Sequence, residues 1–252
     1  MKLIVLAAGY ATRLYPLTRD RPKPLLPVAG RPLLERLLEQ LAPIEGIDAG
    51  YLVTNAKFAG QFDQWARAYA GPLRPVVVDD GTTSEEDRLG AIGDFALVVE
   101  RASLDDDVIV VAGDNLFSEP LADFGRHAVA RRAPVVGIYD VGRIEEMSKY
   151  NAIELDDDGR ITFFEEKPRR PRSTLMAIAL YFYPGETLPL LRRYLDEGNH
   201  PDQPGRLVEW LYRRVSFFTW RVPGAWYDIG SRESLEEADR AFAADRHTTA
   251  AS

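Results

Sequence analysis

Residues 2–24 read "KLIVLAAGYATRLYPLTRDRPKP", and the two ends of that stretch have different characters. Lys2–Ala7 is a short apolar run without clean alternation, the pattern of a strand covered on both faces. It delivers Leu6, Ala7 and Ala8 to Gly9, where small residues let the backbone approach a ligand closely. The loop beyond then carries Arg13, Arg19, Arg21 and Lys23 within eleven residues. A loop that only turned the chain would need none of them. Successive backbone N–H groups in such a turn form an anion-binding concavity, and Arg13 adds a charge-assisted fork for phosphate oxygens. Prolines at 16, 22, 24 and 27 stiffen the loop and hold Lys23 at a set distance from Arg13.

Outward from this stretch, strand-like and helical patterns alternate. Residues 49–55, 75–80, 107–114 and 134–141 read as further strands. Residues 31–42, 58–70, 91–102 and 122–132 have helical spacing. This alternation predicts an α/β fold, a Rossmann-like and mostly parallel mixed sheet with helices on both faces. The second half changes character and predicts a small antiparallel elaboration, roughly 143–222. Residues 151–168 form two strands joined by the acidic turn Asp156-Asp157-Asp158-Gly159. Another strand (174–183) precedes helices near 186–197 and 205–214. A last strand and loop (216–230) lead into a helix that begins at Ser231. We read a single domain over 1–243 and a loose tail over 244–252.

Composition narrows the function. The 252 residues carry a net charge of −8, which argues against a nonspecific grip on nucleic acid. A bound polyanion must therefore meet a local cluster of cations. There is no cysteine, so disulfides, thiolate nucleophiles and cysteine zinc sites are excluded. His127, His200 and His247 match no metal spacing. The opening residues are too short and wrongly flanked for a signal peptide, and no run approaches a membrane span. The expectation is a cytoplasmic protein without membrane partners; a homo-oligomer stays open.

Two carboxylates stand out. "VIVVAGDN" (108–115) ends a strand on Asp114, and ligand sites in doubly wound sheets lie at the carboxyl ends of strands. "GAWYDIGSRESLEEA" (224–238) contains Asp228, and its Ser231 reads as the N-cap of the last helix. The acidic runs 105–107 and 156–158 read as solvated turns.

Together with "FFEEKP" (163–168), these stretches resemble the sugar-1-phosphate nucleotidyltransferases, the NDP-sugar pyrophosphorylases. Members usually read L-x-G-G-x-G-T-R-L-x-P-L-T, with a Lys-Pro about ten residues after the arginine. The match covers some thirty residues from Leu6, with Ala11 where the family commonly has glycine. The resemblance implies the reaction NTP + sugar 1-phosphate → NDP-sugar + pyrophosphate, with Mg²⁺ held by Asp114 and Asp228. It implies catalytic roles for Arg13, Lys23 and Lys167. It places the nucleotide on Leu6, Ala8, Gly9, Tyr10, Ala11, Thr12 and Arg13. Segment 79–94 lies where relatives read the base. The glutamine they often use is not found, so Gly81, Thr82, Leu89 and Gly90 are the candidates there. For the sugar phosphate the resemblance points to Asn151, Glu166, Lys167 and Tyr181, to which we add Arg206. Asn151 stands where relatives have glycine. The frame is most similar to thymidylyl- and uridylyltransferases, which favours dTTP or UTP. Two other readings stay open: a cytidylyltransferase acting on a non-sugar phosphate, and a catalytically silent regulatory subunit that binds NDP-sugar.

Overall fold

The computed structural model describes residues 1–249, excepting the side chains of Glu146 and of 245–249. Strand β1 (Lys2–Leu6) leads into the cationic loop, which ends at a small hairpin of β2 (Pro27–Val28) and β3 (Arg31–Pro32). Then follow α1 (Leu33–Leu41), β4 (Ala49–Thr54), α2 (Ala56–Ala68), β5 (Val76–Asp79) and α3 (Ala91–Arg101). Next come β6 (Val108–Ala112), β7 (Asn115–Phe117), α4 (Ala122–Arg131) and β8 (Val135–Asp140). The second half holds β9 (Asn151–Leu155), β10 (Ile161–Glu166), β11 (Leu175–Tyr183), α5 (Leu188–Asp196) and α6 (Pro204–Leu211). It closes with β12 (Phe218–Arg221), β13 (Trp226–Asp228) and α7 (Arg232–Thr249).

Seven strands form one sheet in the order β12-β8-β11-β6-β1-β4-β5. All neighbours are parallel except β11, which runs antiparallel to both β6 and β8. Its placement follows from its two faces. Met176, Ile178, Leu180 and Phe182 join one core cluster, while Ala177, Tyr181 and Tyr183 join the other. A strand apolar on both faces belongs inside a sheet. The small antiparallel elaboration expected in the second half is centred on the β9–β10 hairpin. Only β9 and β10 form a separate hairpin, and β11 and β12 belong to the central sheet.

The same division runs through β1. Leu3 and Val5 face the cluster built with α1, α2 and α4, whereas Ile4 faces the cluster with α3, α5, α6 and the β9–β10 hairpin. All three are fully buried, so helices cover both faces. A third, smaller cluster packs Ala238 and Phe242 of α7 onto Val28, Leu33, Leu116 and Ile229.

Local differences from the sequence reading have simple causes. Helix α1 starts at Leu33 rather than at 31, because Pro32 is extended (φ −52°, ψ 136°) and Arg31 pairs with Val28. A residue before proline avoids the helical region. Helix α2 starts earlier than expected because Asn55 caps it, its Oδ1 accepting from the Phe58 N–H at 3.2 Å. Helix α7 continues through Thr249, so the tail expected from 244 is helical that far; residues 250–252 lie outside those described.

One polar pair is buried at the edge of the second cluster. Asp80 and Asp94 are 8% and 5% exposed, and Asp80 Oδ2 and Asp94 Oδ1 have no hydrogen-bond partner while both are charged. Burial, reinforced by Asp80 and then Asp202, pushes the Asp94 pKa up to about 8. A proton on Asp94 turns two mutually repelling acceptors into a donor and an acceptor. An acid whose pKa rises on folding keeps a proton that the unfolded chain releases. Its contribution to stability therefore falls as pH climbs from the ordinary value of 3.8 toward 8, and is level above that. We expect Asp94→Asn, a permanent mimic of the protonated acid, to lose this slope and to melt several degrees above the native protein at pH 8. Melting temperatures from pH 5 to 9 check it: parallel profiles for the two proteins would show that Asp94 is charged throughout.

Candidate active site

Strand order reverses at β1, with β4 and β5 to one side and β6 to the other. Such a switch point leaves a crevice beyond the carboxyl ends of the strands. Here the crevice is a cavity of about 350 Å³ that joins a smaller one of about 230 Å³; both are lined by Leu6, Gly9, Arg88 and Asp114.

The loop after β1 is held from behind, which leaves its front edge free. The Ala7 N–H reaches the Val53 carbonyl at 2.8 Å, and Asn55 Nδ2 donates to the Ala8 carbonyl at 2.8 Å. Ala11 adopts left-handed backbone angles (φ 50°, ψ 41°), a conformation that glycine takes freely and that costs alanine about 1–2 kcal/mol. Buried Thr18 holds it there by donating its hydroxyl to the Ala11 carbonyl at 2.7 Å. Tyr10, Ala11, Thr12, Arg13, Lys23 and Asp114 then line the smaller cavity. Arg13 is exposed, and Lys23 Nζ lies 2.7 Å from Asp114 Oδ2.

Asp228 comes to the same place through a pairing that the sequence did not reveal. Strand β13 lies antiparallel to β7, with Asp228 opposite Asn115, and the Ile229 N–H donates to the Asp114 carbonyl at 3.1 Å. Trp226 Nε1 donates to Asn115 Oδ1 at 2.6 Å, and Asn115 Nδ2 in turn spans the Ala112 and Ala179 carbonyls at 3.2 Å each. Burial first, and then the charge of Asp114, push the Asp228 pKa up, while Lys23 and Arg13 pull it down. The pair is thus short of positive charge, with one monovalent cation already drawn to it. That donor set suits a divalent metal ion. Among the described residues no group of three or more His, Cys, Asp or Glu side chains could hold a metal, so these two carboxylates would need oxygens from substrate or water to complete a shell.

The far side of the larger cavity is lined by Tyr150, Asn151, Glu166, Met176, Tyr181 and Trp226, among others. Glu166 faces this space with its pKa pushed up to about 7, chiefly by burial and against the pull of Lys167 and Arg206. Asn151 lines the cavity, but its amide is engaged. Nδ2 donates to the Ala177 carbonyl at 2.9 Å and Oδ1 accepts the Ala177 N–H at 2.7 Å. It pins β9 to β11 where the β11–β8 register shifts.

Of the residues singled out from sequence, Leu6, Ala8, Gly9, Gly90, Asp114, Asn151, Glu166, Tyr181 and Asp228 share the larger cavity. Five others line neither cavity: Gly81, Thr82, Leu89, Lys167 and Arg206. Thr82 is buried; its N–H donates to Asp80 Oδ1 at 2.7 Å and its hydroxyl lies 3.4 Å from Tyr10 OH. Exposed Arg206 reaches back to Gln203 Oε1 at 2.8 Å. Lys167, at φ 53°, lines a separate basic hollow with Arg169, Arg170 and Arg172. Sequence reasoning missed Arg88, which lines both cavities and ion-pairs with Glu85 and Asp202 at 3.0 Å each. It also missed Asp94, Asp202, Gly205 and Trp226 in the larger cavity. Trp226 stands two residues from Asp228 in the motif over 224–238, and Arg88 and Asp94 lie within segment 79–94; their residue types alone gave no sign of a place in the cavity.

Comparison with known proteins agrees with this geometry. The chain is 24% identical over 240 residues to a bifunctional protein GlmU of Methanocaldococcus jannaschii, covering 95% of this chain and 54% of that protein. It is 33% identical over 190 residues to a glucose-1-phosphate thymidylyltransferase of Streptomyces antibioticus, covering 73% and 49%. The chain thus spans about half the length of these two relatives. Against a UTP–glucose-1-phosphate uridylyltransferase AglF of Haloferax volcanii it is 27% identical, covering 95% and 96%. A crystal structure of UDP-glucose pyrophosphorylase complexed with UDP-glucose superposes with a TM-score of 0.81 at 22% identity, covering 96% and 97%, which establishes likeness of fold. The profile of the nucleotidyl transferase family matches residues 2–245, and the chain belongs to that family.

Proposed function

We propose that this chain is a sugar-1-phosphate nucleotidyltransferase that joins the α-phosphate of a nucleoside triphosphate to a sugar 1-phosphate and releases pyrophosphate. One observation carries the reading: the donor loop Gly9–Arg13 and the carboxylates of Asp114 and Asp228 open onto connected cavities at the reversal point of the sheet. Relatives named for thymidylyl and uridylyl transfer support it.

In this reading the triphosphate lies along the loop, its oxygens meeting backbone N–H groups and the Arg13 guanidinium. The sugar phosphate enters from the Glu166 side. One of its oxygens, already ionised at neutral pH, attacks the α-phosphorus. The bond to the β-bridging oxygen breaks and its electron pair leaves with pyrophosphate. No general base or covalent nucleophile is needed, so the work is positioning and charge neutralisation. Arg13 stabilises charge gathering on the leaving group. Lys23, freed from Asp114, meets the α-phosphate, and Lys167 would have to turn inward from its hollow to reach the incoming phosphate. Mg²⁺, held by Asp114 and Asp228, would supply charge neutralisation between phosphates. Glu166 and Tyr181 meet the sugar hydroxyls, while Asn151 acts as a structural pin. The enzyme works in the cytoplasm on soluble substrates, as one nucleotidyltransferase unit over 1–243.

Pyrophosphate release measured over five nucleoside triphosphates crossed with a set of sugar 1-phosphates tests the reading; no turnover in any combination would refute it. The relatives named for thymidylyl and uridylyl transfer favour a pyrimidine, so kcat/KM for dTTP or UTP should exceed that for ATP and GTP. A purine triphosphate equalling both pyrimidines would overturn the base assignment. Arg13→Ala should lower kcat by roughly a hundredfold or more, the usual cost of removing one preorganised charge from a transition state. Its melting temperature should stay within a few degrees of the native value, because the side chain is exposed. A variant keeping more than about a tenth of native kcat would remove Arg13 from the chemistry.

A further inference from the structure

Helix α6 begins Pro204-Gly205, and Gly205 is buried in its first turn. Its backbone angles are not in the left-handed region, so conformation does not require glycine there. Alanine would be the better helix former at this position. The reason for glycine lies across the gap. A Cβ on Gly205 would fall inside the Glu166 carboxylate, overlapping Oε2 and coming within 2.8 Å of Cδ, with Phe164 Cε1 at 3.5 Å. Both Gly205 and Glu166 line the larger cavity.

Neither backbone can give way. Leu207, Val208 and Leu211 of α6 are buried at 2%, 0% and 2% exposure in the same cluster as Phe164 and Ile161 of β10. Backing α6 away would open a void in that cluster. The yielding part is the end of the Glu166 side chain, which has the cavity in front of it and no protein donor holding it in place among the described hydrogen bonds. The opposite wall of the α6 approach is also a backbone contact: the Ile92 N–H donates to the Pro201 carbonyl at 2.7 Å, and a Cβ on Gly90 would strike Asp202 Cα.

We propose that Gly205 is a positioning residue that sets the depth of the acceptor pocket by letting the Glu166 carboxylate lie back against the first turn of α6. With glycine there, the carboxylate stands at the pocket wall and an acceptor hydroxyl has room in front of it. With any side chain there, the carboxylate is pushed into the space the acceptor would fill. The role rests on the reading of Glu166 as the group that meets the acceptor.

The test compares the native chain with Gly205→Ala, Glu166→Asp and the double variant, using the sugar 1-phosphate and nucleoside triphosphate of highest turnover. Gly205→Ala should raise KM for the sugar 1-phosphate about tenfold or more, the scale expected for losing a hydrogen bond to a charged group. KM for the triphosphate should change less than about twofold, and the melting temperature should be unchanged or higher. A merely structural glycine would instead lower the melting temperature and shift both KM values together. Glu166→Asp, one methylene shorter, should partly rescue Gly205→Ala, so that the double variant is better than the product of the single effects. Additive effects, or an unselective rise in both KM values, would overturn the proposal. Crystal structures of the native chain and Gly205→Ala give a readout apart from activity: a Glu166 carboxylate in the same place in both would also overturn it. A displaced carboxylate in a protein that turns over no sugar 1-phosphate would refute the acceptor reading while upholding the contact.

Discussion

Lys23 Nζ stands 2.7 Å from Asp114 Oδ2, and that ion pair answers the central difficulty of the site. In the proposed reading the cleft must gather two carboxylates and admit a further set of anions, in a protein whose net charge is already −8. Like charges at these spacings repel by an amount that grows as water is excluded. The fold offsets this with cations fixed on a loop stiffened by proline, and with N–H groups that add positive potential without a mobile side chain. Lys23 is half-buried and so is less screened by salt than a surface cation. It holds the place that phosphates and a divalent ion would contest. Asp114 and Asp228, both half-buried, are compatible with folding because this charge is built in beside them.

Everything behind the loop keeps those charges in register. Asn55 links the start of α2 to the Ala8 carbonyl, Thr18 holds Ala11 in a strained conformation, and Thr82 approaches the Tyr10 hydroxyl. Each is 0–5% exposed. The loop thus rests on buried polar residues just beyond β4 and β5, and on one of its own. On the opposite wall, Asn151 spends both ends of its amide on Ala177, and glycines at 90 and 205 remove side chains where backbone and carboxylate meet. One wall of the cavity is shaped by hydrogen bonds and the other by missing atoms.

The sequence made some of this legible and hid the rest for definable reasons. Strands β1 and β6 are apolar on both faces, so their central place and the importance of Gly9 and Asp114 at their ends could be read directly. The partner of Asp228 could not. Strand β13 is three residues long and pairs with another of three, β7, too short for any periodicity to show. Arg88 sits among Glu85, Glu86 and Asp87 and reads as one more solvated charge, though it lines both cavities. Thr82 and Asn151 are polar residues in the segments that mattered, but Thr82 is taken up by Asp80 Oδ1 and Tyr10, and Asn151 by the backbone of Ala177. The place of β11 was not legible, because a hydrophobic strand does not announce its direction.

The pairing of β7 with β13 also has a consequence for how the protein comes into being. A chain made from its N-terminus carries the whole donor loop, Lys23 and Asp114 well before Asp228 is made. Only after Asp228 has followed can β13 dock beside β7 and α7 close over Val28 and Leu116. Contacts so distant along the chain form late. A nascent chain therefore holds the loop and Asp114 before the second carboxylate can join them. The order of synthesis thus separates the making of the loop from the pairing that brings Asp228 to it.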